Sequence, residues 1–187
     1  MSEELFTKLV EKINSKFYGK YKGYVTDNKD PEKRGRIKTI IPSLLGDEET
    51  GWCEPCVPYG GKDDTGFFMI PEIDAGAWIE FEAGEISHPI WSGTWWASNK
   101  IPKEATDKIE PTKKIIKTSK GLLLMFEDDD GKEKITIQDK TQTNKIEMDS
   151  MMKSITIQSS IIEIKGDKVD IKASGILTIS GATVKIN

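Results

Sequence analysis

Three patterns of apolar and polar positions follow one another along the chain. In the first, Leu5, Phe6, Leu9, Val10, Ile13 and Phe17 recur every three or four residues, with Lys and Glu between them. That spacing gathers them on one face of a helix predicted over residues 3–18. Ser2 and Glu4 suit its start and Gly19 its stop. The apolar stripe has two possible uses: packing on the helix's own domain, or docking on a partner subunit.

In the second pattern, residues 20–96, short β-rich runs alternate with turn chemistry. Tyr21–Thr26 and Arg36–Ile41 read as strands. Between them lies Asp27-Asn28-Lys29-Asp30-Pro31, where Asx side chains and the fixed φ of proline favour reversal. Further strands are expected within Trp52–Pro58, Gly66–Ile70, Ala77–Ala83 and Ile90–Trp96. Trp78, Ile79 and Phe81 are expected to cluster with Trp91, Trp95 and Trp96. About six short strands in one compact stretch predict a small closed barrel, which leaves no edge exposed. Residues 97–112 lose the periodicity, carry Pro102 and Pro111, and read as a linker. The resulting plan is a helix at 1–19, a barrel at 20–97, a linker at 98–112 and a further domain at 113–187.

The third pattern is a repeat. Apolar pairs with one polar residue between them occur at Ile155/Ile157, Ile162/Ile164, Val169/Ile171, Leu177/Ile179 and Val184/Ile186, with first members 7, 7, 8 and 7 residues apart. Each pair predicts a very short strand with its apolar face inward and Thr156, Glu163, Asp170, Thr178 or Lys185 outward. Gly166, Ser174-Gly175 and Ser180-Gly181 permit tight reversals between them. Ile135/Ile137 and Ile146/Met148 fit the style at longer spacing. Asp128-Asp129-Asp130-Gly131 reads as a hairpin turn between Leu122–Phe126 and Lys134–Gln138.

A seven-residue repeat reaches at most about 23–25 Å, one side of a solenoid rather than a full turn. A three-sided turn from one chain would use about 21 residues, so five repeats give only one or two turns, where stacked repeats need about three to bury a core. Three chains, each supplying one side of every layer, would instead close a triangular prism. Its core would be Ile155, Ile157, Ile162, Ile164, Val169, Ile171, Leu177, Ile179, Val184 and Ile186. Burial of each such side chain stabilises by roughly 1.5–3 kcal/mol. The alternative is an antiparallel meander, but hairpin loops vary in length and this register is nearly constant.

Composition narrows the functional classes. The 187 residues carry a formal net charge of −4, and 36% are apolar. No apolar run is long enough to span a bilayer, and the acidic balance argues against a general nucleic-acid binder. The acidic start, Met1-Ser2-Glu3-Glu4, does not resemble a secretory leader, so synthesis and retention in the cytoplasm, or export by another route, are expected. The two cysteines give no disulfide framework, and the single histidine, His88, weighs against His-based metal or triad chemistry.

The order of segments resembles a known family. Tyr21-Lys22-Gly23-Tyr24-Val25-Thr26-Asp27-Asn28, then Asp30-Pro31 and Arg34-Gly35-Arg36-Ile37-Lys38, resemble the oligonucleotide/oligosaccharide-binding (OB) domain of phage baseplate assembly protein V and the VgrG spikes. The stretches Gly66–Gly84 and Pro89–Gly93 match the same pattern, and Lys172–Asn187 resembles the end of the family's triple-stranded β-helix. The fold class expected is therefore all-β: a short N-terminal helix, a small OB-type barrel, and an intertwined trimeric β-helix. The resemblance implies a homotrimeric central spike of a contractile injection machine. It would be assembled into a phage tail baseplate or a related particle, and would touch the target envelope only transiently. It also implies a baseplate hub protein as partner, here a separate chain because only residues 1–19 precede the barrel. Leu5, Phe6, Leu9 and Ile13 are the expected hub contact. A PAAR-type tip protein is expected on Val184, Lys185, Ile186 and Asn187, where the chain stops one residue past its last apolar position. Some of the larger members carry a lysozyme domain between barrel and rod, for which residues 97–112 leave no room.

Candidate chemistry is sparse. Cys53-Glu54-Pro55-Cys56 is a C-x-x-C without the second pair that zinc needs or the helix start of a redox motif, and is read as structural thiols. His88 is read as a packing or solvent-facing residue. Glu80 and Glu82 alternate with Ile79 and Phe81, as the outer face of a strand would, rather than forming a glycosidase pair with Glu72, Asp74 or Glu85. Asp128–Asp130 lacks calcium-loop spacing. No catalytic residue, cofactor or metal is expected, and Gly35, Gly76 and Gly93 are assigned to turns. A single-strand-binding OB protein is the alternative, with Trp91, Trp95, Trp96, Phe67 and Phe68 as stacking platforms. A third class, a carbohydrate-cleaving solenoid, would need an acidic groove on the rod, whose outer positions are mixed Thr, Glu, Asp and Lys.

Overall fold

The computed structural model describes residues 3–185, except for the side chains of Leu9 and Asn14. The chain is mostly β with a short N-terminal helix, and it divides into two units between Glu110 and Pro111. Helix α1 spans Glu3–Asn14 and ends before Phe17, which the periodicity had assigned to its apolar stripe. Phe17 instead donates its backbone N–H to Gly84 O at 2.9 Å, and its ring packs 6.0 Å from Phe81 and 6.5 Å from Tyr21. Closing the end of the barrel with this ring displaces the last helical turn.

The barrel is built from β1 (Tyr21–Asp27), β2 (Lys38–Ile40), β3 (Glu54–Pro55), β4 (Gly76–Phe81) and β5 (Pro89–Trp95). Their order in the sheet is β2-β1-β4-β5-β3, antiparallel except for the parallel pair β3 and β5. The two edges then find each other. Ile37 and Cys53 exchange backbone hydrogen bonds of 3.3 and 2.8 Å, and Thr50 N–H donates to Thr39 O at 2.8 Å. Five strands thus close a ring in the OB order, removing both edges. Alternation sends Val25, Ile37, Ile41, Cys53, Ala77, Ile79, Phe81 and Trp91 into its core. Gly66–Ile70, expected as a sixth strand, does not join the sheet. Phe67 N–H turns back to Tyr59 O at 2.9 Å, and Ile70 packs so closely on Gly35 that a Cβ there would lie 3.0 Å from its Cδ1.

The expected tryptophan cluster is split by a bulge. Ile79 pairs with Trp91 but Ala77 with Thr94, so β5 carries one extra residue at Ser92–Gly93, where Gly93 adopts φ +123°. The extra residue reverses which face each side chain meets. Trp91 points inward and donates Nε1–H to Gly35 O at 3.1 Å. Trp95 turns outward, donates to Ala77 O at 3.2 Å and covers Gly76. Trp96 is exposed. Gly76 therefore serves close packing inside a strand, not a turn.

The second unit is an antiparallel meander of β6 (Lys113–Lys117), β7 (Leu123–Glu127), β8 (Lys134–Gln138), β9 (Lys145–Asp149) and β10 (Ser154–Gln158), paired in chain order. Its connecting loops hold 5, 6, 6 and 4 residues. From Ser159 to Lys185 the chain forms no regular strand, and Gly166, Gly175 and Gly181 do not reverse it into paired ones. The meander that the constant spacing argued against is thus present up to Gln158, where spacing is irregular. Among the described residues, the evenly spaced pairs beyond it lack a ladder partner in their own chain.

The packing at Gly76 gives a direct test. A Cβ there would lie 2.6 Å from Trp95 Cε2 and 2.8 Å from Trp95 O, so Gly76→Ala must displace β5. Overpacking of this kind costs about 1–3 kcal/mol. We expect a lower thermal midpoint for the barrel, while Gly51→Ala, with nothing within 4 Å of its Cβ, leaves the midpoint unchanged. Equal midpoints for the two variants in calorimetry would disprove the packing role.

Candidate functional site

The meander presents its apolar face to solvent. Register places Ile116, Leu124, Ile137, Ile146 and Ile157 in one continuous row across all five strands. Phe126, Ile135, Met148 and Ile155 form the next row. Most of these side chains are exposed, Ile155 at 69% and Ile137 at 50%. The opposite face is mixed and better covered, with Leu123 at 4%, Thr136 at 2% and Glu127 at 8% exposure. There the Lys134 ammonium lies 3.3 Å from Asp149 and the Lys145 ammonium 2.7 Å from Glu147. The usual sidedness of a half-buried sheet is reversed within this chain. An open groove of about 760 Å³ runs along the first row, flanked by Leu122 and Ile162.

The residues expected to form a three-chain core fall in two places. Ile155 and Ile157 lie on β10, hydrogen-bonded to β9 and exposed on the apolar face. Ile162, Ile164, Val169, Ile171, Leu177, Ile179 and Val184 lie in the strandless segment and are exposed. Ile186 and Asn187, expected in the core and at the tip contact, lie outside the described residues, whereas Val184 and Lys185 are exposed. Among the described residues, the structure therefore brings none of the later pairs together within one chain. Sequence reading missed Ile116, Leu124 and Phe126 as members of the same apolar surface. β6 and β7 gave no period-two signal, because Ile115-Ile116 and Leu123–Phe126 are apolar at successive positions, and only cross-strand pairing assigns Ile116, Leu124 and Phe126 to this face.

On α1, Leu5, Phe6 and Ile13 of the expected hub contact are exposed, as is Val10; the side chain of Leu9 lies outside the described residues. An isolated helix of about 12 residues is marginal in water, so a stripe of this kind gains from a partner.

The barrel's reactive groups are engaged structurally. Cys53 is buried against Thr39 and Thr50, and burial pushes its thiol pKa up. Cys56, three residues on, is exposed, so the C-x-x-C pair is split between inside and outside. Glu80 is held by Lys20 and Ser92, which lower its pKa in that order. His88 is exposed, beside Ser87 Oγ at 3.2 Å. Of the proposed stacking platforms, Trp91 is sealed in the core and Trp95 lies over Gly76 with the Lys22 ammonium 4.8 Å from its ring. Trp96, Phe67 and Phe68 are exposed.

The loop between β1 and β2 is organised by one carboxylate. Asp30 accepts backbone N–H bonds from Glu32, Arg34 and Arg36 at 3.0, 2.7 and 3.3 Å, and the Arg36 guanidinium at 2.7 and 3.2 Å. Hydrogen bonds from Arg36 are the chief reason its pKa lies well below the usual carboxylate range, with the loop N–H groups adding to the effect against the opposing pull of burial. Arg36 is correspondingly held protonated, mainly by Asp30.

With this geometry in view, comparison with known proteins is specific for the barrel. Residues 21–96 match the family described as the type VI secretion system/phage-baseplate injector OB domain. The match covers β1 to β5 and includes Asp30, Arg36 and the bulged β5. A search of curated proteins gave no match. The barrel is an OB domain of the baseplate V/VgrG-like family, and the chain has a baseplate-related structural role.

A carboxylate with a depressed pKa contributes stability that is complete above its unfolded value, about 3.9, and is lost as pH falls through the folded value. At neutral pH, Asp30→Asn should therefore lower the barrel's thermal midpoint by several degrees. The gap to wild type should narrow progressively below about pH 4. A gap that stays constant throughout an acid titration followed by calorimetry would rule out this carboxylate as the loop's anchor.

Proposed function

We propose that three copies of this chain form the central spike of a contractile injection baseplate. The barrels would sit at the hub and residues 113–187 would form the shaft. The observation that carries this reading is the outward apolar face of β6–β10, continued by evenly spaced apolar pairs that, among the described residues, have no strand partner in their own chain. Three sheets placed face to face would bury the Ile116 and Phe126 rows, and three copies of residues 159–187 would close layer upon layer around a common axis. Nothing in this role requires a reaction, cofactor or metal. The shaft would transmit the force of sheath contraction to the target envelope, touching it transiently. Leu5, Phe6, Leu9 and Ile13 would give the spike an apolar attachment to the hub. Val184, Lys185, Ile186 and Asn187 would seat a PAAR-type tip protein. The OB family match supports the baseplate setting.

Light scattering on the purified chain should return three times 21.0 kDa. A monomer at micromolar concentration would overturn the reading. Ile171→Asp would place three carboxylates on the axis, where unpaired charge is strongly disfavoured, so the variant should lose both trimer mass and heat resistance. Deletion of residues 182–187 should abolish co-purification with the tip protein while leaving the trimer intact; retained binding would remove the tip assignment.

A further inference from the structure

The β6–β10 sheet has two unlike ends. Turns 118–122 and 139–144 lie together at one end, where a Cβ on Gly121 would be 2.9 Å from Lys140 Cβ. Turns 128–133 and 150–153 lie together at the other, where Ser150 N–H donates to Glu133 O at 3.0 Å. The first end carries Lys120 and Lys140, both exposed and neither in an ion pair among the described residues. The carboxylate of its turns, Asp139, is taken by donors of its own turn, namely Thr143 N–H and the side chains of Thr141, Thr143 and Asn144. Glu163, which reaches the same end, is held by Lys165 at 2.5 Å. The second end carries Asp128, Asp129, Asp130 and Glu133 against Lys132 and Lys153. Lys114 and Lys132 hold Asp128 and Asp129 at 2.5 and 3.0 Å, so Asp130 and Glu133 are left outside any ion pair among the described residues. The lysines that end the strands there, Lys113 and Lys134, already face Glu127 and Asp149.

The apolar rows say how these ends would meet. Ile155 and Ile157 belong to the Phe126 and Ile116 rows, and they are also the first of the evenly spaced pairs. Rows and repeat therefore share one direction, across the strands. An axis that serves both runs along the rows and puts the strand ends, with their turns, at the corners between neighbouring sheets. Rotation about such an axis brings the Lys120 and Lys140 end of each copy against the Asp130 and Glu133 end of the next. Inverting one copy, so that its rows run the other way, would set like charge against like. We propose that the two ends of the β6–β10 sheet are complementary halves of a seam between copies of this chain, in which Lys120 and Lys140 of one copy pair with Asp130 and Glu133 of the next. The seam rests on the spike reading and adds what sets its direction. Every sheet runs the same way round the axis, so all the tails leave at one end. Charges at the rim of a buried apolar face act chiefly on the rate and orientation of encounter.

The test follows assembly of the purified full chain by light scattering, as mass regained with time after dilution from denaturant at low salt. Lys120→Glu with Lys140→Glu should slow assembly by at least about tenfold, the scale on which steering charges change association rates. Asp130→Lys with Glu133→Lys should slow it as much. The chain with all four reversals exchanges the signs of the two ends and restores their complementarity, so it should assemble at close to the wild-type rate. At high salt the four proteins should converge. All four substitutions lie in turns, so circular dichroism should remain that of the wild type. If the wild type stays monomeric, the spike reading falls and the seam with it. If the wild type assembles and both double variants keep pace with it at low salt, the seam alone is overturned. If the chain with four reversals is as slow as the double variants, the ends matter for folding rather than as complements, and the seam is again overturned.

Discussion

Water covers the apolar face of β6–β10 for as long as the chain stands alone. Each large side chain moved out of that water is worth roughly 1.5–3 kcal/mol; one row of them runs across all five strands and a second across β7 to β10, with Lys114 at its β6 position. The sheet cannot relieve this by slipping. A one-residue shift would exchange the faces, but every hairpin fixes its register. Asp139 accepts from Thr143 N–H at 3.1 Å and Asn144 Nδ2 at 2.6 Å in one turn, and Asp149 accepts from Met152 N–H at 2.8 Å in another. On the other face the lysine–carboxylate pairs give the polar side chains partners within their own chain. On the proposed reading, association between chains would be the route to burial, and the shaft rests on it.

The barrel is constructed on the opposite principle. Its ring closes through Ile37 and Cys53, so no ladder edge is left over, and its core is filled from within. Asp30 turns the loop after β1 into a set of bonds to one carboxylate, and that loop supplies the carbonyl of Gly35 that receives Trp91. The bulge at Gly93 lets Trp91 seal the inside while Trp95 covers Gly76 on the outside. A unit this self-contained is suited to be a fixed platform that exposes only chosen loops, and the apolar β3–β4 loop stands out against it.

Much of this was legible in the sequence, for local reasons. Strands β1, β4, β5 and β8 fall within a residue or two of the runs read from alternation and turn residues, and β7 falls as close to the continuous apolar run Leu122–Phe126. What could not be read was non-local. Phe17 fits the helical stripe by spacing, and only the open end of the barrel draws it away. The bulge that separates Trp91 from Trp95 needs the partner strand to define it. The meander was obscured because four unequal loops hide a common register. Of the site residues, the later apolar pairs were visible as a period, while Ile116, Leu124 and Phe126 joined them only through cross-strand pairing.

The order of elements carries a further consequence for assembly. Hairpins β6 to β10 pair with their immediate neighbours in sequence, the kind of contact that forms with little loss of loop entropy. Residues 159–185 have no such neighbour among the described residues, and on the three-chain reading the contacts of this segment come from other molecules. The meander would then fold first in each chain and display its apolar rows. Three such sheets would meet face to face, and the tails, brought to high local concentration at their common end, would wind together afterwards. On that reading even spacing would be needed only in the part that matches other chains layer by layer, which agrees with a 7-7-8-7 register that starts at Ile155, in the last strand paired within the described residues.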